Sequence, residues 1–216
     1  MWHTAALVAL IVAVALVGTL LGAAAAPSHP TQGRAIGAAI SLVPSIVVGW
    51  GLVFYVARVG RPRNALGSLL GRGWRRPGEA ATDAALAAGA FVLIEGTAFV
   101  VRRLSGGGAE SVVQALPRAP LVQATWVAFA LSAGFCEEVV YRGYLRRQLA
   151  AFTRRADAGI LLQGVLFGVA HLDQGPGKAT LAASYGILLG ALAWWRRSLL
   201  PGILCHVAVD VVAGPW

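Results

Sequence analysis

The feature that most constrains this chain is a pair of acidic residues directly after a long apolar segment. The mainly apolar run from Leu121 to Phe135 is followed by Glu137 and Glu138, and Arg142 comes one helical turn later. A carboxylate at the centre of a bilayer costs about 3 kcal/mol on insertion scales. Two adjacent acids in such a segment therefore require a partner or a function, and ionisable residues inside a membrane usually mark a functional site.

The composition is that of an integral membrane protein. Hydrophobic residues make up 57% of the 216 residues and charged residues only 12%, whereas soluble domains carry about 25% charged residues. The net charge of +9 comes from 17 Arg and one Lys, which cluster between the apolar segments. This distribution follows the positive-inside rule and predicts contact with membrane lipids, so nucleic acid is not predicted as a partner.

Seven apolar segments approach the length of about 20 residues that a 30 Å hydrocarbon core requires. They cover residues 4–24, 36–57, 82–101, 121–145, 158–173, 179–195 and 199–214. The first has no Lys or Arg before it and is longer than the apolar part of a signal peptide, so we expect an uncleaved helix. The sequence thus predicts an all-α fold, a polytopic transmembrane helical bundle of about seven spans.

Two breaks separate these segments. Residues 58–81 form an Arg-, Gly- and Pro-rich linker, after which Asp83 can favour the N-terminus of the next helix. The second break, residues 104–120, opens with Ser105-Gly106-Gly107-Gly108 and is expected to carry a short surface helix from Glu110 to Leu116. Both breaks are polar enough to lie outside the membrane.

The basic residues predict an orientation. If the chain crosses the membrane seven times, thirteen Arg residues lie on the side of the N-terminus and only five Arg or Lys residues lie on the other side. This excess predicts a cytoplasmic N-terminus and an exterior C-terminus. The Trp194-Trp195-Arg196-Arg197 sequence is typical of an anchor at the membrane interface. The bias toward Ala, Gly and Arg indicates a bacterial genome of high GC content, and therefore a bacterial plasma membrane.

Two later apolar segments each carry a histidine, and these can reach the acid pair. With a rise of 1.5 Å per residue, Glu137, His171 and His206 lie roughly 16, 21 and 10 Å from the same side of the membrane. All three can therefore meet at an intermediate depth. The sequence predicts a buried polar cavity at this level of the bundle.

Spacing within each segment predicts specific pairs. Glu138 and Arg142 are four residues apart, so they share a helix face and can form an ion pair. Glu137 lies about 100° around the helix and is left for another partner. His206 and Asp210 are also four apart, and a carboxylate there can fix the tautomer of a catalytic or ligating histidine.

Each feature alone also has a structural explanation. An acid pair can be a solvated helix end, and a histidine on an apolar face can be a buried structural residue. Glu95, within the third span, is expected either to line the cavity or to pair with an Arg. Cys136 and Cys205 are expected to be buried free thiols, because their spacing indicates neither a disulfide nor a metal site.

Three motifs in order resemble the CPBP family of intramembrane proteases, which includes the type II CAAX prenyl endopeptidases and the Abi proteins. Glu137-Glu138-Val139-Val140-Tyr141-Arg142 is similar to the family's E-E-x-x-x-R, and Phe167-Gly168-Val169-Ala170-His171 to its F-x-x-x-H. His206-Val207-Ala208-Val209-Asp210 is similar to its H-x-x-x-N/D. The resemblance divides the chain into N-terminal helices and a basic linker, residues 1–120, and a CPBP-like catalytic core, residues 121–216.

The resemblance implies an endopeptidase that hydrolyses a peptide bond of a membrane-associated protein or peptide, which can be lipid-modified. Glu137 would act as the general base on the attacking water, and His171 would help to position that water. His206 would donate to the oxyanion and Asp210 would orient it, while Arg142 would hold Glu138. The resemblance also allows a zinc-dependent mechanism, in which His171, His206 and Glu137 are the metal ligands. The chain lacks the zinc-binding motif H-E-x-x-H.

Two other classes of function fit the same residues. Intramembrane acids and histidines can form the proton relay of a transporter, although the chain is small and shows no inverted repeat. A non-catalytic member of the family could instead bind a peptide or act as a scaffold for a partner. Such a protein would tolerate Glu137→Ala, whereas a protease would not.

Overall fold

The structure is a computed structural model that describes residues 2–24, 33–59, 65–104 and 116–216. These residues are helical almost throughout and contain no β-strand, which confirms the all-α fold. In chain order, the helices are α1 (Trp2–Ala24), α2 (Gly33–Val59), α3 (Ala65–Leu70), α4 (Pro77–Leu104), α5 (Pro120–Glu137), α6 (Arg146–Thr153), α7 (Ala156–Val169), α8 (Pro176–Arg196) and α9 (Leu200–Val212). A π-helical segment, Glu138–Leu145, joins α5 to α6.

Each of the seven predicted segments overlaps a helix, although the fourth continues into the π-helical segment and the fifth ends as a helix at Val169. Two stretches of the described residues, Ala35–Val59 in α2 and Pro77–Val101 in α4, are long and apolar enough to cross a membrane. The apolar stretches Trp2–Val17, Ala156–Val169 and Leu200–Val212 are shorter. The helices are therefore as predicted, while the count of seven spans stays a prediction.

The linker predicted over residues 58–81 is shorter than expected, and its described residues between α2 and α4, 65–76, are partly helical. It contains α3, and α4 begins at Pro77, since proline suits the first turn of a helix. The acid of that first turn is Glu79, whose Oε2 accepts the Arg75 backbone N–H at 2.8 Å. The predicted role of Asp83 at the helix N-terminus is therefore wrong. Residues 110–115 of the predicted surface helix lie outside the described residues.

Asp83 instead ties α4 to α8. It is buried, with 2% of its surface exposed, and its Oδ1 accepts the Nε–H of Arg196 at 2.6 Å. Its Oδ2 accepts the indole N–H of Trp74 at 2.8 Å. One carboxylate thus joins the segment before α4, α4 itself and the end of α8.

Asp83→Ala is expected to lower the free energy of unfolding by about 2 kcal/mol, because two charge-assisted hydrogen bonds are lost and a guanidinium loses its counter-charge. Asp83→Asn should lose less stability, since an amide oxygen can still accept one of the two bonds. Denaturant titration in mixed micelles measures the free energy of unfolding of both variants. Equal stability of the wild type and Asp83→Ala would contradict this role.

The centre of the bundle is built around α5 and its continuation. Buried residues recur every fourth position along α5, at Val122, Trp126, Ala130 and Gly134, and this spacing makes one continuous face. The helix packs between α2 and α9, and α4 covers the other side of α9. α7 packs along α8, whose buried positions are mostly small residues that permit close approach.

Candidate active site

The acid pair lies where α5 passes into the π-helical segment. All eight residues of Glu138–Leu145 are buried, and the Arg146 backbone N–H donates to the Tyr141 carbonyl five residues earlier. Segments with this hydrogen-bond pattern are rare inside α-helices and are frequent at functional sites. The change of pattern starts at Glu138 itself.

His206 of α9 contacts both acids. Its Nδ1 lies 3.2 Å from Glu138 Oε1, and its Nε2 lies 3.6 Å from Glu137 Oε2. The side chains differ in exposure, since Glu138 is fully buried whereas 32% of the Glu137 side chain is accessible. The structure thus brings the first and third motifs together, with one imidazole between two carboxylates.

Asp210 approaches the same imidazole from one turn further along α9. Its Oδ2 lies 3.7 Å from His206 Nε2, as the spacing of four residues predicts. The Trp126 indole N–H donates to the Asp210 backbone carbonyl at 2.8 Å, which attaches this turn of α9 to α5. Glu137 and Asp210 therefore both face Nε2, while Glu138 faces Nδ1.

Arg142 forms the predicted ion pair with Glu138. Its Nη1 lies 3.3 Å from Glu138 Oε1, and both side chains are completely buried. The guanidinium carbon also lies 4.2 Å from the centre of the Phe167 ring, a cation–π distance. In the described part of the chain, Glu138 Oε2 and the three guanidinium nitrogens have no hydrogen-bond partner. Such groups usually bind water or a ligand.

Gly202 is a site residue that the sequence did not reveal. A Cβ at this position of α9 would lie 2.8 Å from Glu138 Oε2 and 3.4 Å from its carboxyl carbon. Glycine therefore lets α9 approach the buried carboxylate closely. Its only signal in the sequence is its place four residues before His206, on the same helix face.

Gly202→Ala is expected to push the Glu138 carboxylate away from α9 and to lengthen its contact with His206. We expect a loss of activity of at least about tenfold, since a shift of 1 Å at a site can cost 10²-fold. The loss is measured as the rate of peptide hydrolysis at saturating substrate. Gly67→Ala, where an added Cβ meets nothing within 4 Å, is the matched control. Equal rates for the two variants would contradict the role of Gly202.

His171 lies at the edge of this group and outside α7. The segment predicted over residues 158–173 ends as a helix at Val169, and His171 stands in the turn that follows. Its Nδ1 lies 2.8 Å from the Phe167 carbonyl oxygen and donates to it, so in the neutral imidazole Nε2 is the acceptor. Within the described residues His171 makes no ion pair with the three acids.

Phe167 connects the second motif to the other two. Its ring centre lies 4.6 Å from that of His171, 5.8 Å from that of His206 and 5.0 Å from that of Tyr141. It was predicted only as part of the F-x-x-x-H pattern. In the structure, both histidine rings and the Arg142 guanidinium pack against the Phe167 ring.

Other predicted residues have simpler surroundings. Cys136 and Cys205 are both buried and free, as expected. Glu95 forms no ion pair with any Arg in the part of the chain that the structure describes, so that expected pairing is not found there. The role of Glu95 as a cavity-lining residue stays a prediction.

The residues do not fit a metal site as they stand. In residues 2–24, 33–59, 65–104 and 116–216, no group of three or more His, Cys, Asp or Glu side chains is placed to hold a metal ion. Among the three predicted zinc ligands, Glu137 and His206 lie 3.6 Å apart, while His171 forms no ion pair with Glu137 in the described structure.

Comparison with known proteins identifies the region that carries this site. No curated protein and no solved structure matches the chain. The family model described as type II CAAX prenyl endopeptidase Rce1-like matches residues 119–212, which run from just before α5 to the end of α9. The family consists of integral membrane proteases. The match contains all three motifs and all six candidate residues, so the region that carries the site is similar to this family, in agreement with the resemblance to the CPBP family.

Proposed function

We propose that the protein is an intramembrane endopeptidase that uses a carboxylate-activated water to hydrolyse a peptide bond of a membrane-associated protein or peptide. The observation that carries this proposal is the buried imidazole of His206, which lies within 3.7 Å of Glu137, Glu138 and Asp210. These groups come from two helices of the region that matches a protease family.

The difference in exposure supports separate roles for the two adjacent acids. Glu137 is partly accessible, so its carboxylate can contact a water and take a proton from it as the general base. Glu138 is fully buried and faces both Arg142 and His206 Nδ1. It therefore acts as a positioning residue, which holds the imidazole and the guanidinium in place.

His206 and Asp210 are suited to stabilise the tetrahedral intermediate. When Nδ1 and Nε2 are both protonated, Nδ1 donates to Glu138 and Nε2 can donate to the oxyanion of the tetrahedral intermediate. Asp210 lies beside Nε2 and would favour this charged form. Arg142 Nε and Nη2, which have no hydrogen-bond partner among the described residues, leave further donors for a ligand close to Glu138. His171, with Nε2 free to accept, would help to position the attacking water.

The zinc alternative, with His171, His206 and Glu137 as ligands, has a direct test. Because these side chains form no metal-binding group in the described structure, we expect protein stripped by a chelator to keep its hydrolytic activity. Metal analysis of the stripped protein, with the activity measured before and after, checks this. Loss of activity that added Zn²⁺ restores would contradict the metal-free mechanism.

The arrangement in the membrane is part of the proposal. We propose seven spans with a cytoplasmic N-terminus, in which residues 1–120 surround a catalytic core of residues 121–216 and the site lies in a buried polar cavity. The long apolar helices α2 and α4 support this arrangement, as does the exposure of large apolar side chains along them, such as Val47, Phe54, Val92 and Leu93.

The substrate class can be tested with a matched pair of peptides. The family match favours a protein or peptide substrate with a prenylated cysteine near its C-terminus. The protein in proteoliposomes is given a farnesylated CAAX peptide and the same peptide without the farnesyl group. Cleavage of the farnesylated peptide alone would support a CAAX-type substrate, equal cleavage of both would support a broader peptidase, and cleavage of neither would contradict the CAAX assignment.

A further inference from the structure

A second concave site lies at the end of the bundle where α3, α6 and the junction of α8 with α9 meet. The cavity has a volume of about 260 Å³, and its lining includes Arg146, Arg147 and Arg197. None of its lining residues is acidic, and none belongs to the candidate active site. It is therefore a separate, strongly basic cavity.

One wall of this cavity is held by a short antiparallel backbone contact between the segments that follow α3 and α8. The Arg72 N–H donates to the Arg197 carbonyl, and the Leu199 N–H donates to the Leu70 carbonyl, each at 2.9 Å. Gly71 sits at the centre of this contact with φ of +79°, where a Cβ would meet the Arg197 carbonyl oxygen. Only glycine fits there, so the wall is fixed by the fold.

Arg146 is the most buried of the three arginines. Only 8% of its surface is exposed, and its Nε–H donates to the Arg142 carbonyl at 3.0 Å. Its two terminal amino groups have no hydrogen bond or ion pair within the described residues. Burial, together with the neighbouring Arg147, lowers the pKa of this guanidinium. A buried cation without a counter-charge is costly, so an anion at this place would be stabilising.

The other two arginines, Arg147 and Arg197, also line the cavity. The amino groups of Arg147 donate to the carbonyls of Ser68 at 2.6 Å and Leu69 at 3.1 Å, which hold this side chain against α3. Arg197 is exposed at the rim, just after α8. Guanidinium groups bind phosphate oxygens through paired N–H donors, and three of them around one cavity favour a phosphate over a neutral ligand.

We propose that this cavity binds the phosphate of an anionic phospholipid headgroup. Trp194 lines the cavity and Trp195 follows it, with 52% and 65% of their surfaces exposed. Exposed tryptophans next to arginines are typical of the level of the lipid headgroups. A lipid headgroup is therefore favoured over free phosphate as the source of the anion.

The test measures the melting temperature of the detergent-solubilised full chain during titration with dioctanoyl phosphatidylglycerol. A ligand that binds the folded state raises this temperature in a saturable way. We expect this rise with phosphatidylglycerol and not with dioctanoyl phosphatidylcholine. Arg146→Gln should raise the half-saturating lipid concentration by about tenfold, because hydrogen bonds to a charged group are lost. Arg75→Gln, an exposed arginine outside the cavity, is the matched control and should leave it unchanged.

Arg197→Gln provides a second variant, since its exposed side chain can be replaced even if Arg146→Gln fails to fold. It should also weaken the effect of phosphatidylglycerol. Equal effects of the two lipids, or equal weakening by Arg75→Gln, would overturn the proposal. If sodium phosphate gave the same shift at the same concentration as phosphatidylglycerol, with the same dependence on Arg197, the lipid assignment would be wrong and the site would be one for free phosphate.

Discussion

Glu137→Gln is expected to slow peptide hydrolysis by about 10²- to 10⁴-fold, the range for loss of a general base. The amide keeps the size of the side chain but cannot take a proton from water. Because Glu137 is partly accessible and its contact with His206 is 3.6 Å, the fold should not depend on its charge. The rate of product formation in proteoliposomes, with the melting temperature measured in parallel, checks both statements.

Glu79→Gln is the matched control for this variant. It makes the same change from acid to amide at the start of α4, and its side-chain oxygen can still accept the Arg75 N–H. We expect its activity to equal that of the wild type. A Glu137→Gln protein that is folded and as active as this control would rule out the general base assigned here.

Arg142→Met is expected to have the largest effect on stability. It leaves the fully buried Glu138 carboxylate without its cationic partner, and breaking a buried pair in this way costs about 3–5 kcal/mol. The double variant Glu138→Gln with Arg142→Met should recover much of this loss, because no buried charge is then left unpaired. Denaturant titration in mixed micelles gives the free energy of unfolding of the single and the double variant for comparison.

Arg155→Met gives the reference for an exposed pair. Arg155 binds Asp157 at the start of α7, and both side chains are mostly accessible, so the substitution should change stability little. If Arg142→Met were as stable as Arg155→Met, the buried ion pair would not organise the site. If the double variant were less stable than Arg142→Met, the unpaired charge would not be the cause.

The contacts within single helices were predictable from the sequence. Residues four apart on a helix share a face, and the pairs Glu138–Arg142 and His206–Asp210 are both found at 3.3 and 3.7 Å. The positions of the main helices were also predictable, because long apolar runs between polar breaks leave few alternatives.

The contacts between helices were not predictable in the same way. Which nitrogen of His206 faces which acid depends on the rotation of α9 against α5, and that rotation depends on close packing at Gly202. The π-helical segment is another such feature, since it accompanies burial of eight consecutive residues against several helices. His171 lies beyond the end of α7 because the helix ends at Val169, four residues before the end of the predicted segment, residues 158–173.

The central claim is that this protein cleaves membrane-associated proteins or peptides with Glu137 as its base. The most direct measurement compares new protein termini, by mass spectrometry, in host membranes that carry either the wild type or Glu137→Gln at equal abundance. The account predicts cleavage products that appear with the wild type and are absent with the variant. Identical sets of termini, with both proteins folded, would contradict it and would favour a binding or transport function for the same residues.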